Sequence, residues 1–177
     1  MVWSCLVSIL PGMAQTEKLT DYVNPFVGTD GYGNVYPGAQ IPFGGIQISP
    51  DTDSRFYDAA SGYKYNHLTL MGFSLTHLSG TGIPDLGDFL FIPGTGEMKL
   101  EPGTHEDPDQ GYRSRYSHDK EWASPNYYAV ELADYGVKAE MTSGVRSGMF
   151  RFTYPESDNA FIMIDTVSYT HLTLPTT

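Results

Sequence analysis

The chain has 177 residues and a net charge of −11, from 10 Lys+Arg against 21 Asp+Glu. So acidic a chain gains nothing from neutralising phosphates, which excludes nucleic acid and anionic membrane surfaces as partners and leaves carbohydrate and cations open. Hydrophobic residues make up 40% and aromatic residues 14%, with 13 Tyr, 9 Phe, 19 Gly and 12 Pro. That mixture of pleat-filling aromatics and turn formers favours an all-β domain.

Residues 2–10 form a short apolar run, and Gly12-Met13-Ala14 ahead of Gln15 supply the small residues of a cleavage site. This predicts a signal peptide over residues 1–14, although no Lys or Arg precedes Lys18. Cys5, the chain's one cysteine, leaves with it. An exported chain without disulfides suits a bacterial periplasmic or surface protein. No run approaches the roughly 20 apolar residues of a membrane helix.

Residues 28–39, GTDGYGNVYPGA, form the first glycine-rich loop. No Gly-Lys-Ser/Thr ends it and no helical pattern follows, so it is neither a P-loop nor a dinucleotide fingerprint. Its glycines alternate with Tyr32, Asn34 and Tyr36. Such a loop can stack a sugar ring on tyrosine and bond its hydroxyls through Asp30, Asn34 and backbone N–H groups. The alternative is a surface loop that packs its tyrosines inward. The candidate contacts are Thr29, Asp30, Gly31, Tyr32, Gly33 and Asn34.

Residues 41–50 read as a strand with Ile46 and Ile48 on one face, and 51–65 as a loop offering Arg55, Asp58 and Tyr63. Residues 66–93 then place a polar loop between two buried strands, 68–75 and 89–92, the second ended by Pro93. His77, Asp85 and Asp88 on this loop complete the candidate binding set. Two readings compete: a binding rim, or acidic and hydroxyl side chains that cap their own turns. His77 divides the same way, between ligand contact and a buried histidine bonded to a loop carbonyl.

Residues 94–108 are turn-rich, and 112–117 set Tyr112, Ser114 and Tyr116 against Arg113, Arg115 and Ser117. Tyr128, Val130 and Leu132 share one face, and Val137, Ala139 and Met141 return beyond Asp134-Tyr135-Gly136, which predicts a hairpin. Further strands follow over 149–154 and 160–165. No stretch keeps a helical period, so the expected architecture is an antiparallel β-sandwich. Residues 167–172 look like a translated sequencing adapter. The expected organisation is a domain over 15–166, incomplete at its C-terminal end, and a non-native tail over 167–177 that excludes His171 as a ligand.

An ordered set of motifs carries a family resemblance. It runs Val23-Asn24-Pro25-Phe26-Val27-Gly28-Thr29, Tyr36-Pro37-Gly38-Ala39, Pro42-Phe43-Gly44, Gln47-Ile48-Ser49-Pro50-Asp51-Thr52, Ser61-Gly62-Tyr63, then Gly72-Phe73-Ser74 through Thr76-His77-Leu78-Ser79-Gly80-Thr81-Gly82 to Gly87-Asp88. Over residues 22–166 it resembles the N-terminal domain of glycoside hydrolase family 92, bacterial exo-acting α-mannosidases. The resemblance implies a β-sandwich of the supersandwich, galactose-mutarotase-like kind, followed by an (α/α) toroid with the active site at the junction. It implies calcium-dependent hydrolysis of α-mannosides with inversion, on mannose-containing glycans. The catalytic carboxylates belong to the toroid, so no catalytic residue is expected in this fragment, which is expected to be inactive alone. The metal ligands are likewise expected outside it. The chain departs from the family at Tyr32, Asn34 and Leu75, where histidines often stand. A stand-alone sugar-binding sandwich is the alternative.

Overall fold

The computed structural model describes residues 17–53, 57–83 and 87–166, except the side chain of Asp58. The expected signal peptide, Arg55, Asp85, the side chain of Asp58 and the tail after Thr166 lie outside the described residues. Ten strands follow in chain order: β1 (Ser49–Asp51), β2 (Thr69–Leu70), β3 (Gly72–Ser74), β4 (Leu90–Thr95), β5 (Ser114–Arg115), β6 (Glu121–Ser124), β7 (Tyr127–Leu132), β8 (Val137–Ser143), β9 (Gly148–Thr153) and β10 (Ala160–Asp165). Helical structure among the described residues is limited to short 3-10 turns.

Two four-stranded antiparallel sheets form the sandwich, ordered β1-β3-β4-β10 and β6-β7-β8-β9, with β2 and β5 as a separate pair. Alternation dictates the contact between them. On β8, Val137, Ala139 and Met141 are buried while Lys138 and Thr142 face water. They pack with Tyr128, Val130 and Leu132 of β7 against Ile48, Leu70 and Phe73 from the other side. Phe150 and Phe152 of β9 close this core, stacked at 5.5 Å, and Phe73 meets Phe152 at 6.1 Å. Each aromatic contributes large buried area plus a preferred ring geometry. A second cluster joins Met71, Leu90, Ile92 and Tyr112.

The structure corrects three expectations. The run 68–75 is broken at Met71 into β2 and β3, which join different sheets. The first strand lies at Ser49–Asp51, and Ile48 makes only an isolated bridge to Ala39. Pro93 does not end its strand: β4 continues to Thr95 along β10. Because β3 meets β4 only at Phe73↔Phe91, the opposite flank of β4 has no ladder beyond that point, and a missing N–H is tolerated there.

At the start of β6, the Glu121 carboxylate is sealed in, 1% exposed, and accepts from the hydroxyls of Tyr63 at 2.9 Å and of Tyr128, with His118 Nδ1 at 2.6 Å. The Tyr116 hydroxyl lies 3.4 Å from that of Tyr63. Burial pushes the phenols of Tyr63, Tyr116 and Tyr128 up, reinforced by the nearby Glu121 charge. Tyr63, expected as a polar loop contact, is thus spent inside the fold.

Candidate functional site

The two glycine-rich loops meet. Gly80 N–H donates to the carbonyl of Asn34 at 2.7 Å, and the Tyr36 ring lies 4.9 Å from that of His77. Local chemistry shapes the first loop. Asp30 Oδ1 accepts from Gly31 N–H at 2.8 Å, and Gly33 N–H donates to Asp30 O at 3.3 Å. Gly33 admits no side chain, since a Cβ would stand 2.1 Å from the carbonyl oxygen of Gly28. This turn leaves Asp30 and Gly31 exposed and lifts the Tyr32 ring out, 79% exposed.

Opposite Tyr32 stands Tyr57, 63% exposed, with ring centroids 6.1 Å apart and planes inclined by 55°. Gly82 of the second loop lies against this ring: a Cβ there would be 1.9 Å from Tyr57 Cε2. Three segments therefore converge on one place, 28–36, the 3-10 turn Tyr57–Ala59, and 76–83.

The base of the second loop is closed by Thr76, whose hydroxyl donates to Asp88 Oδ2 at 2.7 Å while its carbonyl accepts from Gly87 N–H at 2.8 Å. Asp88 sits in the left-handed region at φ 55. It acts here as the staple of its own loop, as does Asp30 in the first. Beneath lies His77, 5% exposed. Its Nδ1 faces Gln47 O at 2.7 Å, and because a carbonyl only accepts, Nδ1 carries a proton. Its Nε2 lies 2.9 Å from both Asp51 Oδ1 and Ser74 Oγ. With both nitrogens engaged inside the protein, His77 takes the second of its two readings, a buried histidine bonded to a carbonyl, and makes no sugar contact in this geometry.

Thr29 and Asn34 are also buried. The Thr29 hydroxyl donates to Phe26 O at 2.8 Å, and its carbonyl accepts from Tyr65 N–H at 2.9 Å. Asn34 Oδ1 has no hydrogen-bond partner among the described residues. Burial pushes the Tyr36 phenol up to about 12. The candidate set thus divides into an exposed part, Asp30, Gly31 and Tyr32, and a supporting part, Thr29, Gly33, Asn34, His77 and Asp88.

Sequence reasoning missed two features. Tyr57 carries no periodicity or motif of its own and was embedded in a polar stretch. The second is a partly buried polar cluster: His67 Nδ1 reaches Thr52 Oγ1 at 3.0 Å, His105 Nδ1 reaches Thr69 Oγ1 at 2.8 Å, and His105 Nε2 lies 3.4 Å from Asp53 Oδ2. Arg113 is 2% exposed and donates to Thr52 O and Thr69 Oγ1. An open groove of about 570 Å³, lined by residues such as Val23, Phe26 and Trp122, includes no residue of the two glycine loops.

The architecture defines a class: an antiparallel two-sheet sandwich whose glycine-rich loops gather at one site. The chain belongs to glycosyl hydrolase family 92, whose N-terminal domain matches residues 22–174. It is 98% identical to the family 92 α-mannosidase BT3965 of Bacteroides thetaiotaomicron, with a TM-score of 0.85, over 86% of this chain and 20% of that one. That α-mannosidase has also been solved with mannoimidazole. The inverting mannosidase BT2199 of the same organism is 28% identical over 85% of this chain and 20% of its own, with a TM-score of 0.68. A curated relative, described as an uncharacterized secreted glycosidase of Arthroderma benhamiae, is 30% identical over 77% of this chain and 17% of its own length. The chain therefore spans at most about a fifth of these relatives. No helix among the described residues is long and apolar enough to cross a membrane.

Proposed function

We propose that this chain is the N-terminal, substrate-shaping lobe of an exported, calcium-dependent exo-α-mannosidase that acts on mannose-containing glycans with inversion. The observation that carries the reading is the convergence of the two glycine loops, at which Asp30 and Tyr32 of the first loop stand exposed. The close likeness to an α-mannosidase supports the substrate class.

Inversion requires a general acid and a general base about 6.5–9.5 Å apart on opposite faces of the sugar. Of the described carboxylates around the loops, Asp51 and Asp53 are fully buried, Asp88 is engaged by Thr76, and Asp30 is exposed but accepts from Gly31 N–H in its own turn, so no acid–base pair stands ready. This lobe therefore orients the substrate, and the acid and base come from the toroid that follows in the longer protein. Among the described residues no group of three or more His, Cys, Asp or Glu could hold a metal ion. In this reading the calcium ligands lie in the toroid.

The test is release of mannose from α-1,2-mannobiose in calcium buffer by the complete protein and by the 177-residue chain. Turnover by the first and none by the second is expected. Turnover by the short chain would overturn the division of labour. Binding without turnover by the complete protein would favour the stand-alone sugar-binding module. Export is checked by N-terminal sequencing, with Gln15 as the expected first residue.

A further inference from the structure

The first glycine loop holds the chain's one Asp-Gly pair, Asp30-Gly31, and the chain has no Asn-Gly. An aspartyl carboxyl and the amide nitrogen of the next residue can close into a cyclic imide. A side chain on that next residue obstructs the closure, and so does a backbone that keeps the two groups apart. Here the fold brings them together. Gly31 N–H donates to Asp30 Oδ1 at 2.8 Å, so the nitrogen rests against the carboxyl it would attack. Gly31 stands at φ +59, and a Cβ built on it would meet nothing within 4 Å, so the ring has room to form. Both residues are exposed, and water reaches the pair.

The rest of the turn activates the same peptide. As the Gly31 nitrogen gives up its proton, negative charge spreads to the Asp30 carbonyl oxygen, where Gly33 N–H donates at 3.3 Å. Lys64 Nζ donates to Gly31 O at 3.5 Å and holds the residue from its other side. Reacting groups held at contact no longer depend on a rare encounter.

We infer that Asp30-Gly31 is a self-modification site, at which the loop converts to an isoaspartyl linkage. From the carboxylic acid, the bond from Gly31 N to Asp30 Cγ forms and the Cγ–OH bond breaks. The amide proton and the hydroxyl leave together as water. A second water then opens the imide, and the two steps need no oxidant or reductant. Opening at Cγ restores Asp30. Opening at the main-chain carbonyl gives isoaspartate, whose backbone runs through Cβ and Cγ and whose former main-chain carbonyl becomes the free acid. The loop thereby gains one methylene between two fixed points. Thr29 is tied to Phe26 O and Tyr65 N–H, and Gly33 is packed on Gly28 O. The added length is taken up by the exposed stretch between them, which carries Tyr32.

The test ages the complete hydrolase in oxygen-labelled water, digests it, and examines the peptide that contains Asp30 by mass spectrometry and as a substrate for isoaspartyl methyltransferase. The label marks conversion during ageing and separates it from conversion during digestion. The peptide should take up label and become a methyl acceptor, and should do so faster than a synthetic peptide of residues 22–40 aged alongside. Asp30→Glu, whose ring would be one atom larger, should lose both signals. Asp30→Asn keeps an oxygen for the Gly31 hydrogen bond and should gain isoaspartate sooner, with release of ammonia. Methyl acceptance that is absent from the folded parent, no faster there than in the free peptide, or retained in Asp30→Glu overturns the inference.

Discussion

His77→Ala separates a structural histidine from a ligand contact. The substitution deletes the ring that joins Gln47 O and Asp51 Oδ1, at 2.7 and 2.9 Å. Asp51 is fully buried, and its Oδ2 has no partner among the described residues. Removing one member of a buried pair costs about 3–5 kcal/mol. An orphaned buried carbonyl such as that of Gln47 adds about 1–3 kcal/mol. The two overlap, so about 4 kcal/mol is expected, a large part of the roughly 5–15 kcal/mol that holds a domain together. With a urea m-value of about 2 kcal/mol/M, the midpoint should fall by about 2 M. Urea unfolding followed by tryptophan fluorescence reads this directly. The double variant His77→Ala, Asp51→Ala should be less damaging than the sum of its parts, because no carboxylate is then stranded. A single variant within about 1 kcal/mol of the parent, with its loss seen in mannoside affinity, would refute the structural assignment.

Gly62→Ala should strike the same pair from the other side. Gly62 has φ +89, and a Cβ there would stand 2.1 Å from Asp51 Oδ1, so a loss of about 3 kcal/mol or more is expected by urea unfolding. The outer face of the second sheet supplies a pH prediction. Arg151 grips Glu140 through Nε at 2.8 Å and Nη2 at 2.7 Å, and this holds the carboxyl at about 2, below its ordinary 4.5. A carboxyl lowered by folding stabilises the protein above its unfolded value, and the gain is lost as pH falls from about 4.5 towards 2. Arg151→Ala should therefore flatten the thermal stability profile between pH 5 and 2, and a profile that keeps the parent's slope there would contradict the assignment.

What the sequence discloses depends on the range of the interaction. The hairpin β7–β8 is legible because its two strands alternate strictly around Asp134-Tyr135-Gly136. The gathering of the loops is legible in part, because glycine marks where a backbone turns. For His77 the sequence leaves two readings open, because the partners that decide between them, Asp51 and Gln47, lie 26 and 30 residues away. Period two separates Arg113 from Tyr112 and Ser114 but does not show that Arg113 is buried, just ahead of β5 in the short β2–β5 pair. Tyr57 became visible only when the fold set it against Tyr32.

The hydroxyls gathered around Glu121 give the domain an alkaline weakness. Tyr63, Tyr116 and Tyr128 cannot shed their protons in place, because each phenolate would share a sealed space with a carboxylate. Their raised values mean that the folded state holds these protons more tightly than the unfolded chain does. The advantage is complete below pH 10, the ordinary value for tyrosine, and shrinks as the solution becomes more basic. Tyrosinate absorbance should then rise in two stages, the first from rings already in water and the second together with the collapse of the sandwich.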